Sequence, residues 1–560
     1  MDPVEKAWLK HYPAGVPAQI DPQSWPSLVA LLDEAFERHA ESSACVYMGQ
    51  SYSYRRIDDA SRALGAWLQG QGLQRGDRVA LMMPNTPQYL VAVAAVLRAG
   101  LVVVNVNPLH SGRELEQQLK DCGARALILL ENFALTFAQV RHAVPVKTVL
   151  LTSLGEMLPL PRRLLVDTVV RHVRKQVPDH DLAGAVRFKD ALHRGERMVF
   201  QPARPSPGDI ALLQYTGGTT GVSKGAVLLH RNLVANVLQC EAWFQPALQR
   251  MPAGEQLTQV CALPLHHIFG FSTNLLLGLH LGACNLLIAD SQDLPALFKA
   301  LEGVRFHSFA AMNPLFHAMA QHPDLARVDW SHLRLSVGGG MAVQPATARL
   351  WLNKTGCPIC EGYGLSETSP TVSCNPTDSS HFNGSVGLPL PGTEVSVLDE
   401  GGVPLPAGVP GEIAVRGPQV MAGYWQRPDE TAKVMTVDGF LRTGDIGLMD
   451  ERGYLRMIDR KKDRILVSGF SVYPSEVEDL LALMPGVVEC AVVGVQGAHG
   501  SDTVKAVIVR QDDGLTEVEV RAYCEQNLTG YKRPKVIEFR RELPKTAVGK
   551  VLRRELRSAG

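Results

Sequence analysis

The first half of the chain alternates short apolar runs with helix-like segments. Turn residues such as Gly76-Asp77 and Pro84-Asn85 mark where the apolar runs end. This alternation predicts an α/β fold with a parallel sheet and helices on both of its faces. The predicted elements are a hairpin at residues 44–54, strands at 79–83, 101–106 and 124–130, and helices at 87–98 and 113–119.

A polar loop separates two apolar runs, residues 210–213 and 226–229. The runs predict two strands joined by a tight loop. Glycines let backbone N–H groups approach an anion, while hydroxyls and Lys224 add donors and a positive charge. A polyphosphate site is therefore favoured over the alternative, a flexible surface loop. The residues concerned are Tyr215, Thr216, Gly217, Gly218, Thr219, Thr220, Gly221, Ser223, Lys224 and Gly225.

This loop differs from the P-loop of ordinary NTPases, where Gly-Lys precedes Ser or Thr at the start of a helix. Here Lys224 follows Ser223 and precedes Gly225 and a strand-like run. A kinase or hydrolase that uses the loop remains an alternative, and it predicts ADP or phosphate as product.

Residues 162–177 form a basic amphipathic pattern. Val166, Val169, Val170, Val173 and Val177 share one helical stripe, and arginines and a lysine lie elsewhere. Such a helix can lie on an anionic membrane surface, and the alternative is an ordinary helix packed on the protein.

The second half of the chain predicts further α/β structure, with a helix at 231–244 and strands at 260–263 and 333–337. From Gly384 the pattern changes to short strands with frequent Gly and Pro, which favours a β-barrel-like subdomain. A charged segment, residues 458–464, precedes a compact α+β pattern of about a hundred residues, the size of a small domain. The predicted domains are residues 1–458, a hinge segment at 459–464, and a small mobile C-terminal domain at 465–560.

Composition narrows the class of protein. The 560 residues are 46% hydrophobic and 20% charged, as in globular proteins, and the formal net charge is zero, so nothing indicates a nucleic-acid partner. The polar start of the chain lacks a secretory signal, and no apolar run predicts a membrane span, so a cytoplasmic protein is expected. The ten cysteines are scattered, and the lone pair Cys357 and Cys360 makes zinc unlikely to be bound.

Several polar clusters follow apolar runs, where α/β folds place functional groups. Together they resemble the adenylate-forming superfamily of acyl-CoA synthetases, luciferases and peptide-synthetase adenylation domains, over nearly the whole chain. The resemblance is strongest to bacterial long-chain fatty-acid–CoA ligases. The matching stretches are residues 215–221, 361–365, 459–463, 467–470, 472–474 and 549–556.

The resemblance implies two steps: a carboxylate attacks ATP to give acyl-AMP and pyrophosphate, and coenzyme A (CoA) then displaces AMP. It implies that the 216–224 loop binds the β- and γ-phosphates and that Thr216 and Glu367 hold Mg²⁺. Tyr363 would stack on adenine, and Asp445 would bind the ribose with Arg460 nearby. The remaining nucleotide-site residues implied are Gly338, Gly339, Gly340, Glu361, Gly362, Gly364 and Ser366.

The resemblance also places Lys550 as the catalytic lysine, Lys462 as the hinge about which the small domain swings, and His267 at the junction of acyl group and CoA. Two departures are visible: His266 stands where an aromatic residue is usual, and Ser366 stands where threonine is usual. Adjacent histidines on a strand do not easily face one metal ion, which disfavours a metal at His266 and His267.

Substrate and partners follow from the same resemblance. Fatty acid, ATP and CoA are expected, for fatty acid uptake and activation; medium-chain or aryl acids, and a non-catalytic fatty-acid carrier, are alternatives. Free CoA is the expected acceptor, because no carrier domain follows the Lys550 motif before Gly560. Residues 271–281 and 312–316 either line an acyl tunnel or are ordinary buried segments. Members of the superfamily often form dimers, so a homodimer is a further expectation.

Overall fold

The structure is a computed structural model that describes residues 6–216, 223–467, 470–496, 502–546 and 549–557. The chain divides into two compact units. The larger unit comprises His11–Glu394 and Arg416–Lys433, and the smaller unit comprises Met1–Lys10, Val395–Val415 and Val434–Gly560.

The α-helices are α1 (Leu28–Arg38), α2 (Tyr54–Gly70), α3 (Pro87–Arg98), α4 (Gly112–Cys122), α5 (Ala134–Val140), α6 (Leu160–Thr168), α7 (Phe188–Gly195), α8 (His230–Leu248), α9 (Leu277–His280), α10 (Leu294–Leu301), α11 (Asn313–Gln321), α12 (Pro345–Thr355), α13 (Pro428–Val434), α14 (Pro474–Leu481) and α15 (Glu517–Asn527).

The β-strands are β1 (Ser43–Tyr47), β2 (Gln50–Ser53), β3 (Arg78–Met82), β4 (Val102–Asn105), β5 (Ala126–Leu130), β6 (Thr148–Thr152), β7 (Val186–Arg187), β8 (Ile210–Thr216), β9 (Lys224–Leu229), β10 (Thr258–Cys261), β11 (Cys284–Leu287), β12 (Ser308–Ala311), β13 (Leu335–Gly338), β14 (Ile359–Gly364), β15 (Thr371–Cys374), β16 (Leu388–Pro389), β17 (Glu394–Leu398), β18 (Gly411–Arg416), β19 (Gly423–Tyr424), β20 (Leu441–Met449), β21 (Leu455–Arg460), β22 (Ile465–Val467), β23 (Phe470–Val472), β24 (Val487–Gln496), β25 (Asp502–Arg510) and β26 (Val536–Arg540).

The larger unit contains an eight-stranded sheet in the order β19-β9-β8-β4-β3-β5-β6-β7. Strands β3 to β8 pair in parallel, as the alternating pattern predicts, while β9 and β19 pair antiparallel at one edge. Apolar strands with both faces buried are typical of a parallel sheet covered by helices. Residues such as Val104, Leu127 and Leu213 are fully buried in this core.

A second sheet of the larger unit has nine strands in the order β16-β15-β14-β13-β12-β10-β11-β1-β2. Its core is aromatic, with Phe309, Phe316 and Trp351 in mutual ring contact. The apolar stretch after His267 begins as a π-helix (Gly270–Leu276) that continues into α9 and then β11. π-Turns are rare, and they are frequent near functional sites.

The described residues of the smaller unit form three sheets. The pattern of short strands that begins after Gly384 corresponds to a four-stranded sheet in the order β17-β18-β20-β21. Beyond it lie the β22–β23 pair and the three-stranded sheet β24-β25-β26, packed with α14 and α15 around Ile465, Val492 and Ile508. This is the α+β arrangement that the sequence predicts for the last hundred residues.

The basic segment at 162–177 is shorter as a helix than its pattern predicts. Helix α6 ends at Thr168, a π-helix (Val169–Val173) follows, and Lys175 has a positive φ of 49°. The wider π-turn rotates the later residues, so Val170 is buried while Val173 is 71% exposed. The valines therefore do not form one continuous exposed stripe. Among the described residues no helix is both long and apolar enough to cross a membrane.

Candidate active site

The polar loop predicted to bind phosphate lies at the end of the β8–β9 hairpin. These strands pair antiparallel with Thr216 opposite Lys224, as the flanking apolar runs predict. The Thr216 hydroxyl donates to the Lys224 carbonyl oxygen (3.3 Å), and the Ser223 hydroxyl donates to the Thr216 carbonyl oxygen (2.6 Å). These bonds close the base of the hairpin. The loop residues Gly217, Gly218, Thr219, Thr220 and Gly221 lie outside the described residues.

Tyr215 lies on β8 and links the hairpin to α4. Its hydroxyl donates to Asp121 Oδ2 at 2.5 Å, and Asp121 also forms an ion pair with Arg427. The indole N–H of Trp425 donates to the Asp121 carbonyl oxygen at 3.1 Å. Burial, with a smaller contribution from Asp121, holds the pKa of Tyr215 well above its usual range, so the hydroxyl keeps its proton and remains a donor.

Lys224 begins β9 and has two partners. Its ammonium forms an ion pair with Glu430 on α13, and it lies 5.2 Å from the centroid of the Tyr424 ring. A carboxylate and an aromatic face both attract a cation. The Lys224 side chain is thus held in place by Tyr424 and Glu430, which are distant from it in sequence.

The glycine run at residues 338–340 and Tyr363 come together in the sheet. Strands β13 and β14 pair in parallel with Gly338 opposite Glu361. A Cβ at Gly339 would lie 3.1 Å from the Phe269 ring, and Gly340 has a φ of +77°. Backbone conformation therefore favours glycine at Gly340, and a side chain at Gly339 would require the Phe269 ring to shift. The register supports the expectation that this run lies beside Tyr363.

Glu361 is a buried carboxyl group. Its exposed fraction is 4%, and its Oε1 accepts the backbone N–H of Val343 at 2.9 Å. Burial raises the pKa of Glu361 to about 8, and the hydrogen bond from Val343 opposes this only in part. The group is accordingly protonated and neutral near pH 7.

Glu367 lies in a short 3₁₀-helix (Ser366–Thr368) after β14. The Tyr424 hydroxyl donates to its Oε1 at 2.8 Å, and the Met421 backbone N–H donates to its carbonyl oxygen at 2.8 Å. The Glu367 carboxylate and the Thr216 hydroxyl supply oxygen atoms, the ligand type that Mg²⁺ prefers. Donor chemistry therefore fits the predicted magnesium ligands.

His266 and His267 lie in the loop after β10. His267 Nδ1 accepts the Phe269 backbone N–H at 3.3 Å, and the side-chain amide of Gln214 donates to the His266 carbonyl oxygen at 3.2 Å. Gln214 lies on β8, so this contact holds the loop beside the phosphate hairpin. Burial lowers the pKa of His266 to about 3, and its ring is neutral.

The smaller unit brings the other predicted residues together. Strands β20 and β21 place Asp445 opposite Arg460, and Arg460 Nε lies 3.5 Å from Asp445 Oδ1. Lys550 lies within electrostatic range of Arg460, Asp445 and Lys462. The pKa of Lys550 is lowered to about 7, mainly by burial and in smaller part by the charges of Arg460 and Lys462, while Asp445 opposes the shift. Four residues from distant parts of the sequence thus share one cluster.

The predicted hinge segment at 459–464 is tied to the C-terminal stretch. Arg553 lies 3.6 Å from Asp459 and 3.5 Å from Asp463, and Arg557 donates to Asp463 at 3.0 Å. Arg553 also forms a 2.6 Å ion pair with Glu478 on α14. The charged segment is therefore an ordered, paired element in the structure.

A further polar cluster joins Glu255, His307 and His332, whose ligand atoms lie within 4.8 Å of one another. His307 Nδ1 accepts the Thr258 backbone N–H at 3.0 Å. The proton of the neutral His307 ring must therefore sit on Nε2, the atom that faces Glu255 at 3.5 Å. Histidine ligands to metals usually donate from the second nitrogen, so this geometry disfavours a metal.

Sequence patterns did not single out the segment that supports the site. Tyr424, Glu430 and Asp121 contact predicted site residues that are far from them along the chain, and Arg427 pairs with Asp121. The antiparallel pairing of β19 with β9 brings Tyr424 and the segment after it to the hairpin. A short strand with no distinctive motif gives no signal in the sequence alone.

Comparison with known proteins identifies the family. The family model described as AMP-binding enzyme matches residues 32–425. The chain belongs to the AMP-binding enzyme family. A second model, the AMP-binding enzyme C-terminal domain, matches residues 476–550.

Individual relatives are similar over nearly the full length of this family member. A long-chain-fatty-acid–CoA ligase of Yersinia pestis is 49% identical over 99% of this chain and 98% of its own. A protein of the same name from Escherichia coli O6:H1 is 48% identical over 99% of this chain and 98% of its own length. The ATP-bound structure of MatB from Rhodopseudomonas palustris is 29% identical, with a TM-score of 0.80, and the match covers 94% of this chain and 98% of that one. The fold is thus mixed α/β, with a large N-terminal and a small C-terminal domain.

Proposed function

We propose that this AMP-binding enzyme is a long-chain fatty-acid–CoA ligase that forms AMP. The observation that carries the proposal is the grouping of Thr216, Lys224 and Glu367 in the larger unit. The hairpin pairs the first two, and Tyr424 contacts both Lys224 and Glu367. Hydroxyl, ammonium and carboxylate groups in one place suit a metal-bound polyphosphate. The similarity to ligases of that name over 99% of the chain supports the acyl substrate.

The first half-reaction joins two anions. A carboxylate oxygen of the fatty acid attacks the α-phosphorus of ATP, the bond to the bridging oxygen breaks, and pyrophosphate leaves with its electron pair. Neutralising negative charge is the main task in such a transfer. Lys224 and the hairpin backbone bind the β- and γ-phosphates. Mg²⁺, bound with ATP as substrate, would be held by Thr216 and Glu367 and would neutralise phosphate charge.

The proposed nucleotide-binding residues come from several segments of the chain. Tyr363 stacks on adenine beside the 338–340 glycine run, and Glu361, Gly362, Gly364 and Ser366 complete that edge. Asp445 accepts hydrogen bonds from the ribose hydroxyls, and Arg460 lies beside it. Lys550 bridges oxygens of the carboxylate and the α-phosphate, and its charge offsets that of the forming bond.

In the second half-reaction the CoA sulfur attacks the acyl carbon, and AMP leaves through cleavage of the acyl–phosphate bond. We propose that residues 465–560 form a domain that moves relative to residues 1–458 between the two steps. Residues 459–464 are the proposed hinge, with Lys462 within it. Such two-state domain motions commonly remove one catalytic group and admit another substrate.

His267 is proposed to shape the junction of acyl group and CoA. Its loop leads directly into the π-helix Gly270–Leu276, whose residues are buried. Of the second candidate tunnel segment, Phe316 is fully buried and packs against Phe309 and Trp351. Residues of both segments are buried, so burial does not choose between them, and we favour the π-helix as the acyl lining because it directly follows the His267 loop.

The experiment that tests the proposal measures pyrophosphate and AMP release over fatty acids of graded chain length, with and without CoA. We expect pyrophosphate release to be highest with long-chain acids, and thioester to form only with CoA. Higher activity with medium-chain or aryl acids would assign a different acid–CoA ligase. Release of ADP or phosphate instead would indicate a kinase or hydrolase, and no turnover would indicate a carrier.

Peripheral contact with an anionic membrane is a further part of the proposal, as is an inner-face cytoplasmic location. On α6, Leu160, Leu164 and Leu165 are 59–66% exposed, beside the exposed Arg162. Exposed leucines together with arginines suit an anionic bilayer surface. Co-sedimentation with vesicles of phosphatidylglycerol and phosphatidylcholine tests this contact. Replacing the three leucines by serine should abolish binding, and unchanged binding would refute the contact.

A homodimer is also proposed, from the superfamily resemblance alone. Sedimentation velocity over a range of protein concentrations tests it. A single species with the mass of one chain at every concentration would refute it.

A further inference from the structure

The segment at residues 421–433 joins the two phosphate-side elements of the larger unit. Its strand β19 pairs antiparallel with β9, with Gly423 opposite Val227. The Trp425 backbone N–H donates to the Gly225 carbonyl oxygen at 2.8 Å. Upstream, the Met421 N–H donates to the carbonyl oxygen of Glu367. Backbone hydrogen bonds thus fix this segment to the hairpin on one side and to Glu367 on the other.

Tyr424 occupies the position between these two anchors. Its hydroxyl donates to Glu367 Oε1 at 2.8 Å, and its ring centroid lies 5.2 Å from Lys224 Nζ. One side chain therefore contacts both the carboxylate and the ammonium that the proposed function places at the phosphates. The backbone N–H of Tyr424 is itself held by the Thr431 hydroxyl at 2.9 Å, which fixes the residue in place.

The chemistry of each contact has a consequence for the site. A hydrogen bond to one oxygen of a metal-ligating carboxylate sets the rotation of that carboxylate and so directs its other oxygen. An aromatic face beside an ammonium attracts the charge without neutralising it. The ring can therefore hold Lys224 in place while phosphate binds, whereas the Glu430 carboxylate, which also pairs with Lys224, competes with phosphate. Tyrosine meets both demands, because it combines a ring face with a hydroxyl donor.

We propose that Tyr424 is a positioning residue for the first half-reaction, with its hydroxyl orienting Glu367 and its ring placing Lys224. The inference rests on the proposed function, since it concerns the residues assigned there to phosphate and Mg²⁺. It adds a residue that acts through Glu367 and Lys224 and need not contact the nucleotide. Holding such groups in a preset geometry avoids reorganisation when charge develops.

The test uses Tyr424→Phe, which keeps the ring and removes only the hydroxyl. We expect the half-saturating Mg²⁺ concentration for pyrophosphate release to rise about tenfold, the lower end of the effect of losing a group that supports a metal ligand. The KM for fatty acid and thioester formation from supplied acyl-AMP should not change. Tyr424→Leu, which also removes the ring, should in addition raise the KM for ATP several-fold.

The matched control is Tyr52→Phe. The Tyr52 hydroxyl donates to the Met157 carbonyl oxygen at 3.0 Å, so this variant loses one tyrosine hydrogen bond away from the phosphate residues. It should leave the Mg²⁺ dependence unchanged. A wild-type Mg²⁺ dependence in Tyr424→Phe would overturn the inference.

Two measurements keep the result decisive. Calorimetric titration with ATP at several Mg²⁺ concentrations, without acid substrate, should show that Tyr424→Phe needs more Mg²⁺ for ATP binding. This binding measurement tests Tyr424 independently of catalysis. If the wild-type protein binds ATP but releases no pyrophosphate, the proposed function is refuted while the test of Tyr424 still holds. In a Glu367→Gln background the Tyr424→Phe change should have little further effect on ATP binding. Full additivity of the two changes would reveal a merely structural role and overturn the inference.

Discussion

Lys224 and Glu430 form an ion pair across 206 positions of sequence. Glu430 also pairs with Lys433 on the same helix, and the two lysines hold the pKa of Glu430 at about 2, Lys224 contributing most. The carboxylate is therefore ionised at every working pH. The Glu430 carboxylate pairs with the Lys224 ammonium, which the proposed function assigns to phosphate binding. Phosphate therefore has to displace Glu430.

Glu430→Gln should lower the KM for ATP. Removing the internal carboxylate removes a competitor for Lys224, and because ion pairs of exposed groups are weak, the KM should fall only about twofold to fivefold. Lys433→Met is the control, because it keeps the Lys224–Glu430 pair and should not lower the KM. Steady-state pyrophosphate release over a range of ATP concentrations measures both, and a raised KM in Glu430→Gln would contradict the prediction.

Lys550 should impose a pH dependence on adenylation. Its pKa of about 7 means that the free enzyme loses the lysine charge as the pH rises through 7. Because kcat/KM reports groups of the free enzyme, its value for pyrophosphate release should fall about tenfold per pH unit above 7. Lys550→Arg should be slower and should lose this fall, since arginine stays charged.

The same residue separates the two half-reactions. Lys550→Ala should abolish acyl-AMP formation and leave thioester formation from supplied acyl-AMP largely intact. Rapid-quench assays of each step provide the measurement. Equal loss of both steps would exclude the assigned role of Lys550.

Glu361 should make the protein less stable as the pH rises. Its folded pKa of about 8 lies above the ordinary value of 4.5, so between these values the unfolded chain releases a proton that the folded protein retains. Stability from this group is therefore complete below about pH 4.5 and is lost as the pH rises towards 8. Glu361→Gln keeps the acceptor for Val343 and should be more stable than wild type at pH 8, by up to about 4 kcal/mol, with little gain at pH 5.

Glu412→Gln is the control, because its effect on stability at high pH should have the opposite sign to that of Glu361→Gln. The Glu412 carboxylate pairs with Arg442 and Lys461, which lower its pKa against the effect of burial. Its stabilisation is present above the ordinary pKa of a glutamate and is lost on acidification, so Glu412→Gln should destabilise the protein at pH 8. Differential scanning calorimetry of both variants at pH 5 and pH 8 checks the two signs.

Arg553 should stabilise the C-terminal fold through Glu478. Their 2.6 Å ion pair is largely shielded, with side chains 22% and 18% exposed. Arg553→Met leaves the Glu478 carboxylate without its cation and should cost on the order of 3 kcal/mol, whereas Arg553→Met with Glu478→Gln should recover part of that loss. Chemical denaturation followed by circular dichroism measures the difference. Equal stability of the single and double variants would contradict the assigned pairing.

Local patterns predicted much of the fold. The helix predicted at residues 87–98 has those bounds, and the strands predicted at 79–83 and 124–130 are offset by one or two residues. Turn residues and apolar periodicity are properties of neighbouring positions, so they can be recognised without knowledge of the tertiary structure. The helix predicted at 162–177 is too long, because neither the π-turn nor the positive φ of Lys175 can be recognised from the hydrophobic pattern.

The sequence by itself determined the strand–loop–strand order around Lys224, the glycine run at 338–340 and the family resemblance, because each depends on residues that are close along the chain. Only the tertiary structure decided that Tyr424 bonds Glu367, that Glu430 pairs with Lys224, and that Lys550 shares a cluster with Asp445 and Arg460. These contacts join segments that are distant along the chain. Burial, which shifts the pKa values of Glu361 and Lys550, likewise depends on what packs around a side chain and not on its neighbours in sequence.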